Sequence, residues 1–204
     1  MASHLGDAPV HSSLEVQARE DVFRNDEWWK SAVRYQFEGS DATEVAVYLW
    51  HRDDDGWTRK QKYAVKTQRA WAEDEERIDR FLSGEFPPAD ETYPTSDYYT
   101  VTGGETVFRS DEWWKAIVNV GVKGDYETDE VMIYLWQKNE ADWRRRQKSV
   151  IRSDDDWIEL SSAVESVLQE AAPASEDEPD RPDVDGDLDE MQQKIDAHLS
   201  AVLD

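Results

Sequence analysis

The chain has 204 residues, room for one domain or two small ones, and carries 47 Asp+Glu against 23 Lys+Arg, a net charge of −24. Ten tryptophans and an aromatic content of 11% exclude the aromatic-poor composition of a wholly disordered chain. The lack of cysteine excludes disulfides and thiolate metal sites, and no apolar run approaches the ~18 residues of a membrane helix.

Acid is spread along the whole chain, which suits a protein adapted to a salt-filled cytoplasm better than an acidic tail on a neutral domain. The other reading of such acidity is attraction of basic partners. Residues 1–20 have neither the basic start nor the apolar stretch of a signal peptide, and read as a disordered N-terminus of a cytoplasmic protein.

From residue 21 the chain repeats itself. "VFRNDEWWK" at 22–30 returns as "VFRSDEWWK" at 107–115, "EVAVYLW" at 44–50 as "EVMIYLW" at 130–136, and "WTRKQKYAVK" at 57–66 as "WRRRQKSVIR" at 143–152. All ten tryptophans lie within the two repeated units, five in each, at an offset of 85 and then 86 residues. This is the signature of a tandem duplication, with units at 21–83 and 106–170. In "DEWWK", adjacent residues of a strand face opposite sides. One Trp of each pair is therefore expected in the core, the other at a contact between repeats or on a stacking platform.

Within each unit, Val33, Tyr35 and Phe37 alternate with polar residues, as do Val118, Val120 and Val122, which predicts a strand with one buried face. Turns at Gly39 and Gly124 lead to a second strand. It buries Val45, Val47 and Leu49, or Val131, Ile133 and Leu135, and turns Tyr48 and Trp50, or Tyr134 and Trp136, the other way. A third strand starts at Trp57 and Trp143 and runs to Lys66 and Arg152, long enough to bend into a fourth. Thr67 and Ser153 then suit helix N-caps. Trp71, Ile78 and Leu82, or Trp157, Ser161, Val164 and Leu168, share one helix face. The expected fold is α+β, two tandem ββββα repeats. Residues 84–105 read as an interdomain loop and 171–187 as an acidic disordered linker. Residues 188–204 read as an amphipathic helix, docked on the body or used for a protein partner or self-association.

The third strand breaks the acidic pattern. Windows 57–69 and 143–152 hold ten of the 23 basic residues. Lys60, Lys62 and Lys66, and Arg144, Arg146, Lys148 and Arg152, all have even numbers and in a regular strand share one face. Beside them, Tyr48, Trp50, Tyr134 and Trp136 offer rings. Cations that track phosphates and rings that stack on unpaired bases are what single-stranded nucleic acid requires, at ~1–3 kcal/mol per stacked base. A solvated row paired with carboxylates is the competing reading.

At these residues the chain resembles the PC4-type transcriptional coactivators, homodimeric single-stranded-DNA-binding proteins built from a ββββα unit. Trp50 to Lys62 and Trp136 to Lys148 keep the family's spacing of twelve. Lys62 to Trp71 and Lys148 to Trp157 keep the following nine. Tyr63 and Ser149 stand where the family has a glycine, and Val47 and Ile133 where it has a basic residue. The resemblance implies a dimer folded within one chain, with Trp50, Trp136, Lys62 and Lys148 on nucleic acid. The expected partner is single-stranded DNA, with RNA as the alternative, and no membrane. A protein–protein adaptor that kept the fold is the other function class. No cofactor is expected. His4, His11, His51 and His198 are scattered, no nucleophile elbow or phosphate-cradling loop is present, and a non-enzyme is expected. The stretch "DVDGDLDE" at 183–190 fails the calcium-loop pattern.

Overall fold

The computed structural model describes residues 8–40, 42–89, 91–122, 125–140 and 142–169. Gly124, the linker 171–187 and the segment 188–204 lie outside the described residues. Everything below concerns the compact unit Met1–Glu170.

Two four-stranded antiparallel sheets form consecutive meanders. The first joins β1 (Leu14–Arg24), β2 (Trp28–Phe37), β3 (Thr43–Asp53) and β4 (Gly56–Val65), followed by α1 (Gln68–Leu82). The second joins β5 (Tyr99–Arg109), β6 (Trp113–Val122), β7 (Asp125–Asn139) and β8 (Asp142–Ile151), followed by α2 (Asp154–Gln169). The α+β class is as expected. The helices begin at the expected caps: Thr67 Oγ1 accepts the Ala70 N–H at 3.0 Å, and Ser153 Oγ accepts that of Asp156 at 3.1 Å.

The fourth strand is not where periodicity put it. The third strand does not bend into a fourth. Instead β1 precedes the "DEWW" motif, so residues 14–20 are strand rather than disordered N-terminus. In the same way β5 takes residues 99–105 out of the expected loop. Both strands hide from period-two reading because each carries two bulges. These fall at Val16/Ala18 and Asp21/Phe23 in β1, and at Val101/Gly103 and Thr106/Phe108 in β5. Gly103 and Gly104, expected in the interdomain loop, lie inside β5. A Cβ at Gly103 would run into the Phe86 ring, and one at Gly104 into the Tyr93 ring. The "RNDEWW" and "RSDEWW" stretches are the hairpin turns. Asn25 Oδ1 accepts the Trp28 N–H at 2.7 Å, and Ser110 Oγ accepts that of Trp113 at 3.0 Å.

The two halves form one compact unit. α2 packs on β1, β2 and β3, and α1 touches β6 and β7, so each sheet takes the helix of the other half. One core holds Ala32, Val47 and Val65 of the first sheet, Ile117, Ile133 and Ile151 of the second, and Trp71, Ile78, Trp157 and Val164 of the helices. Buried charges cross between the halves with them. Lys30 on β2 donates to Asp156 of α2 at 2.7 Å and to the Val150 carbonyl at 3.2 Å. Lys115 on β6 donates to both Asp74 oxygens of α1 at 2.7 Å, and the Tyr63 hydroxyl of β4 donates to the same carboxylate. Trp71 and Trp157 meet with centroids 5.6 Å apart.

Asp74 is 2% exposed. Lys115→Met should therefore strand a buried carboxylate and cost about 3–5 kcal/mol in denaturant unfolding, whereas Asp74→Leu combined with Lys115→Met should recover most of that loss.

Candidate nucleic-acid interface

The faces of the two sheets turned away from the shared core are aromatic. On the first, Tyr48 and Trp50 stack at 5.0 Å, and Trp29 lies 5.1 Å from Trp50 and 5.6 Å from Trp57. On the second, Tyr134 and Trp136 stack at 4.8 Å, and Trp114 lies 5.2 Å from Trp136 and 5.6 Å from Trp143. The "DEWWK" reading holds in part. Trp29 and Trp114 are buried, and Trp28 and Trp113 are half-buried.

The expected stacking rings are not open to solvent. Trp50 and Trp136 are 0% exposed, and Tyr48 and Tyr134 are 2% exposed. A strap of chain crosses each face. Residues 8–13 cover the first, and the Trp50 indole N–H donates to the Pro9 carbonyl at 3.1 Å. The stretch around Tyr93 and Pro94 covers the second, and the Trp136 indole N–H donates to the Pro94 carbonyl at 3.0 Å. Pro9 and Pro94 stand 85 positions apart, the offset of the "DEWWK" motifs. The sequence reading missed both straps because a short Pro-containing segment carries no periodicity. As placed here, Trp50 and Trp136 are core residues. Trp50→Ala would cost about 3–5 kcal/mol of stability and would not isolate a stacking contact.

The basic row is also split. Lys62 lies opposite Tyr48 and Lys148 opposite Tyr134, on the aromatic faces. A bulge then intervenes in each hairpin, so the residue opposite Trp50 is Arg59, and the one opposite Trp136 is Arg145. Lys60 and Arg146 are the extra residues of the bulges. Arg144 pairs with Gln137 on the opposite face, and Arg146 Nε donates to Gln137 Oε1 at 2.8 Å. Lys66 and Arg152 lie just beyond the strand ends, and Arg152 pairs with Glu130 at 3.1 Å. Parity therefore identified Lys62 and Lys148 and missed Arg59 and Arg145, since nothing in the residue types marks the bulge.

The two buried-side lysines sit over rings. Lys62 Nζ lies 5.4 Å from the Tyr35 centroid and 5.8 Å from that of Tyr48. Lys148 Nζ lies 4.8 Å from the Tyr99 centroid and 5.6 Å from that of Tyr134, and it reaches the Tyr99 hydroxyl at 3.2 Å. Burial, and secondarily the Arg145 charge, push the Lys148 ammonium down to about 8.

Arg19, Lys30, Arg69, Arg77, Arg80, Arg109, Lys115 and Arg152 each pair with a carboxylate. No ion pair among the described residues uses Arg59, Lys60, Lys66, Arg144 or Arg145. Beside them are rings with accessible surface. Trp57 and Trp143 are half-buried, and Tyr98, packed on Tyr99, is 57% exposed. Pro94, Asp142, Trp143, Arg144 and Arg145 line an open groove of about 680 Å³. Among the described residues no group of His, Asp and Glu is placed to hold a metal ion. No helix among them is long and apolar enough to cross a membrane.

Lys148 supplies a pH test. Its charged form is disfavoured in the folded chain, so between about pH 8 and the ordinary 10.5 the unfolded chain binds more protons. The Lys148 contribution to stability should therefore rise with pH across that window. Unfolding of wild type against Lys148→Met, measured as a function of pH, should show a difference that changes there and is flat below pH 7 or so. Comparisons with protein-family models, with curated proteins and with solved structures return no match, so the functional reading rests on the site itself.

Proposed function

We propose that this chain binds single-stranded nucleic acid, DNA foremost, along its β3–β4 and β7–β8 hairpins. The observation that carries the reading is the cluster of exposed cations Arg59, Lys60, Arg144 and Arg145, outside the ion pairs among the described residues, in a chain of net charge −24. Where acid outnumbers base two to one, such cations on a folded surface attract a polyanion that the rest of the surface repels. Trp57, Trp143 and Tyr98 offer partly open ring surface on the same hairpins and beside Lys148. That suits unpaired bases better than a duplex, whose bases are already stacked.

On this reading the two sheets with their exchanged helices correspond to the two subunits of a coactivator-type dimer, joined in one chain by tandem duplication. Phosphates follow Arg59 and Lys60 on one hairpin and Arg144 and Arg145 on the other. Lys62 and Lys148 are second-rank contacts, because rings already hold them. In a salt-filled cytoplasm counterion release contributes less, and ring contacts carry a larger share of affinity.

Fluorescence anisotropy with a labelled strand of about 20 nucleotides tests this, comparing single-stranded DNA, RNA and duplex at rising potassium chloride. Arg59→Glu combined with Arg145→Glu should weaken binding of the single strand by about tenfold or more at moderate salt and flatten the salt dependence. Both side chains are exposed, so thermal stability should hardly move. No binding at any salt at which the protein stays folded, or binding that the charge reversals leave unchanged, sinks the proposal.

A further inference from the structure

The two straps are not equivalent. The second is anchored at many points. Tyr93 is 4% exposed, lies 5.4 Å from Trp114 and 6.5 Å from Trp136, and sits against the Gly104 backbone. Glu91 accepts from Thr106 Oγ1 and from Arg109 Nη1, both at 2.6 Å. Gly104 N–H donates to the Pro87 carbonyl at 3.1 Å, and Phe86 stacks on Phe81 at 5.4 Å. Chain continues from both of its ends into α1 and β5.

At the position of Tyr93 the first strap has Ala8, 85 residues earlier. Its contacts with the sheet are the half-buried Ala8 and Val10, the Trp50-to-Pro9 hydrogen bond and, at its β1 end, the Glu38 N–H donating to the Ser13 carbonyl at 3.0 Å. A few partly buried apolar groups and two hydrogen bonds, one of them at the β1 end, hold it, so it is more easily released than its counterpart.

The face it crosses carries more than an apolar floor, with buried rings at its centre and cations at its margin. Arg19 and Arg24 stand over the Trp29 ring with guanidinium carbons 5.1 and 4.0 Å from its centroid. The Arg19 side chain is 11% exposed, and its Nη1 is buried with no hydrogen-bond partner. Lys62 lies over Tyr35 and Tyr48 on the same face, and Arg59 lies opposite Trp50. Two stacked rings, further tryptophans and an Arg19 that pairs with Asp21 through Nε but leaves a buried Nη1 without a partner, with Lys62 and the exposed Arg24 and Arg59 at the margin, are more than a proline-containing strap requires. They match bases and phosphates.

We propose that the outer face of the first sheet is a second, covered part of the binding site. Its ligand is an unpaired stretch of nucleic acid, and residues 8–13 are the cover that this ligand displaces. The second face stays closed by Tyr93, so binding is asymmetric between the two halves. This rests on the nucleic-acid reading above.

Val10→Asp in the full chain places a charge in the strap's apolar contact and should release it. Acrylamide quenching of tryptophan fluorescence, without ligand, should then increase. Affinity for a labelled oligothymidylate should rise about fivefold, the gain expected if the wild-type strap is open about a fifth of the time. Adding Arg19→Ala should remove that gain. In the unmodified protein, hydrogen exchange at residues 8–13 should accelerate when oligothymidylate is added, while residues 93–98 stay protected, and this holds as a test even if Val10→Asp folds poorly. Greater quenching with unchanged affinity, or unchanged exchange at 8–13 on saturation, overturns the proposal and leaves the exposed cation row as the site. A wild-type dimer in sedimentation that Val10→Asp dissolves also overturns it, making a second copy's strap the occupant. If neither protein binds nucleic acid, the functional reading itself has failed, and this proposal with it.

Discussion

Lys30 and Lys115 each carry an ammonium into a space that only the other half of the chain can neutralise. A buried charge without its counter-ion costs several kcal/mol, so each sheet is incomplete until the opposite helix arrives with Asp156 or Asp74. The exchange of helices, the single core and the contact of Trp71 with Trp157 all accompany this requirement. Apolar burial supplies most of the stabilisation. The two ion pairs specify which helix goes with which sheet, because an unexchanged helix would leave both lysines facing hydrocarbon. Burial holds the Lys30 pKa below its usual value even beside Asp156, a sign of how little water reaches the site.

Much of this was legible in the sequence. The three regular strands of each sheet announce themselves by alternation, and the helices by their caps and by Trp71 and Trp157. The strands with bulges did not. An extra residue in β1 or β5 inverts the alternation partway along, so a strand with two bulges looks patternless. The same device defeated the parity argument in β4 and β8, where one inserted residue exchanged Lys60 for Arg59 and Arg146 for Arg145 on the aromatic faces. The larger error concerned Trp50 and Trp136. Period two correctly placed them opposite Val47 and Ile133, but a residue turned away from one core is not thereby turned to water. Pro9 and Pro94 supply the cover, and their backbone carbonyls satisfy the two indoles. That bond involves no side chain of the strap, so no residue type betrays it.

Charge and packing meet on the two hairpins. Among the described residues six arginines are in carboxylate pairs, yet Arg59, Lys60, Lys66, Arg144 and Arg145 of the third-strand windows stand outside any ion pair. The acidic background sharpens the effect of those few. On the proposed reading, a phosphate chain repelled over most of the surface would be admitted along two narrow lines, one on each hairpin.

The exchanged helices also bear on how the chain is made. A ribosome releases the first sheet and α1 long before α2, which ends at Gln169. Until then the apolar side of the first sheet, with Ala32, Val45 and Val47, has no lid, and Lys30 has no counter-ion. Synthesis proceeds at roughly 5–20 residues per second, so that face stays uncovered for several seconds. The nascent first half is therefore a client for chaperones and a target for mispairing with a neighbouring chain on the same message. Every molecule that folds correctly must close a long loop in sequence before its first sheet is finished.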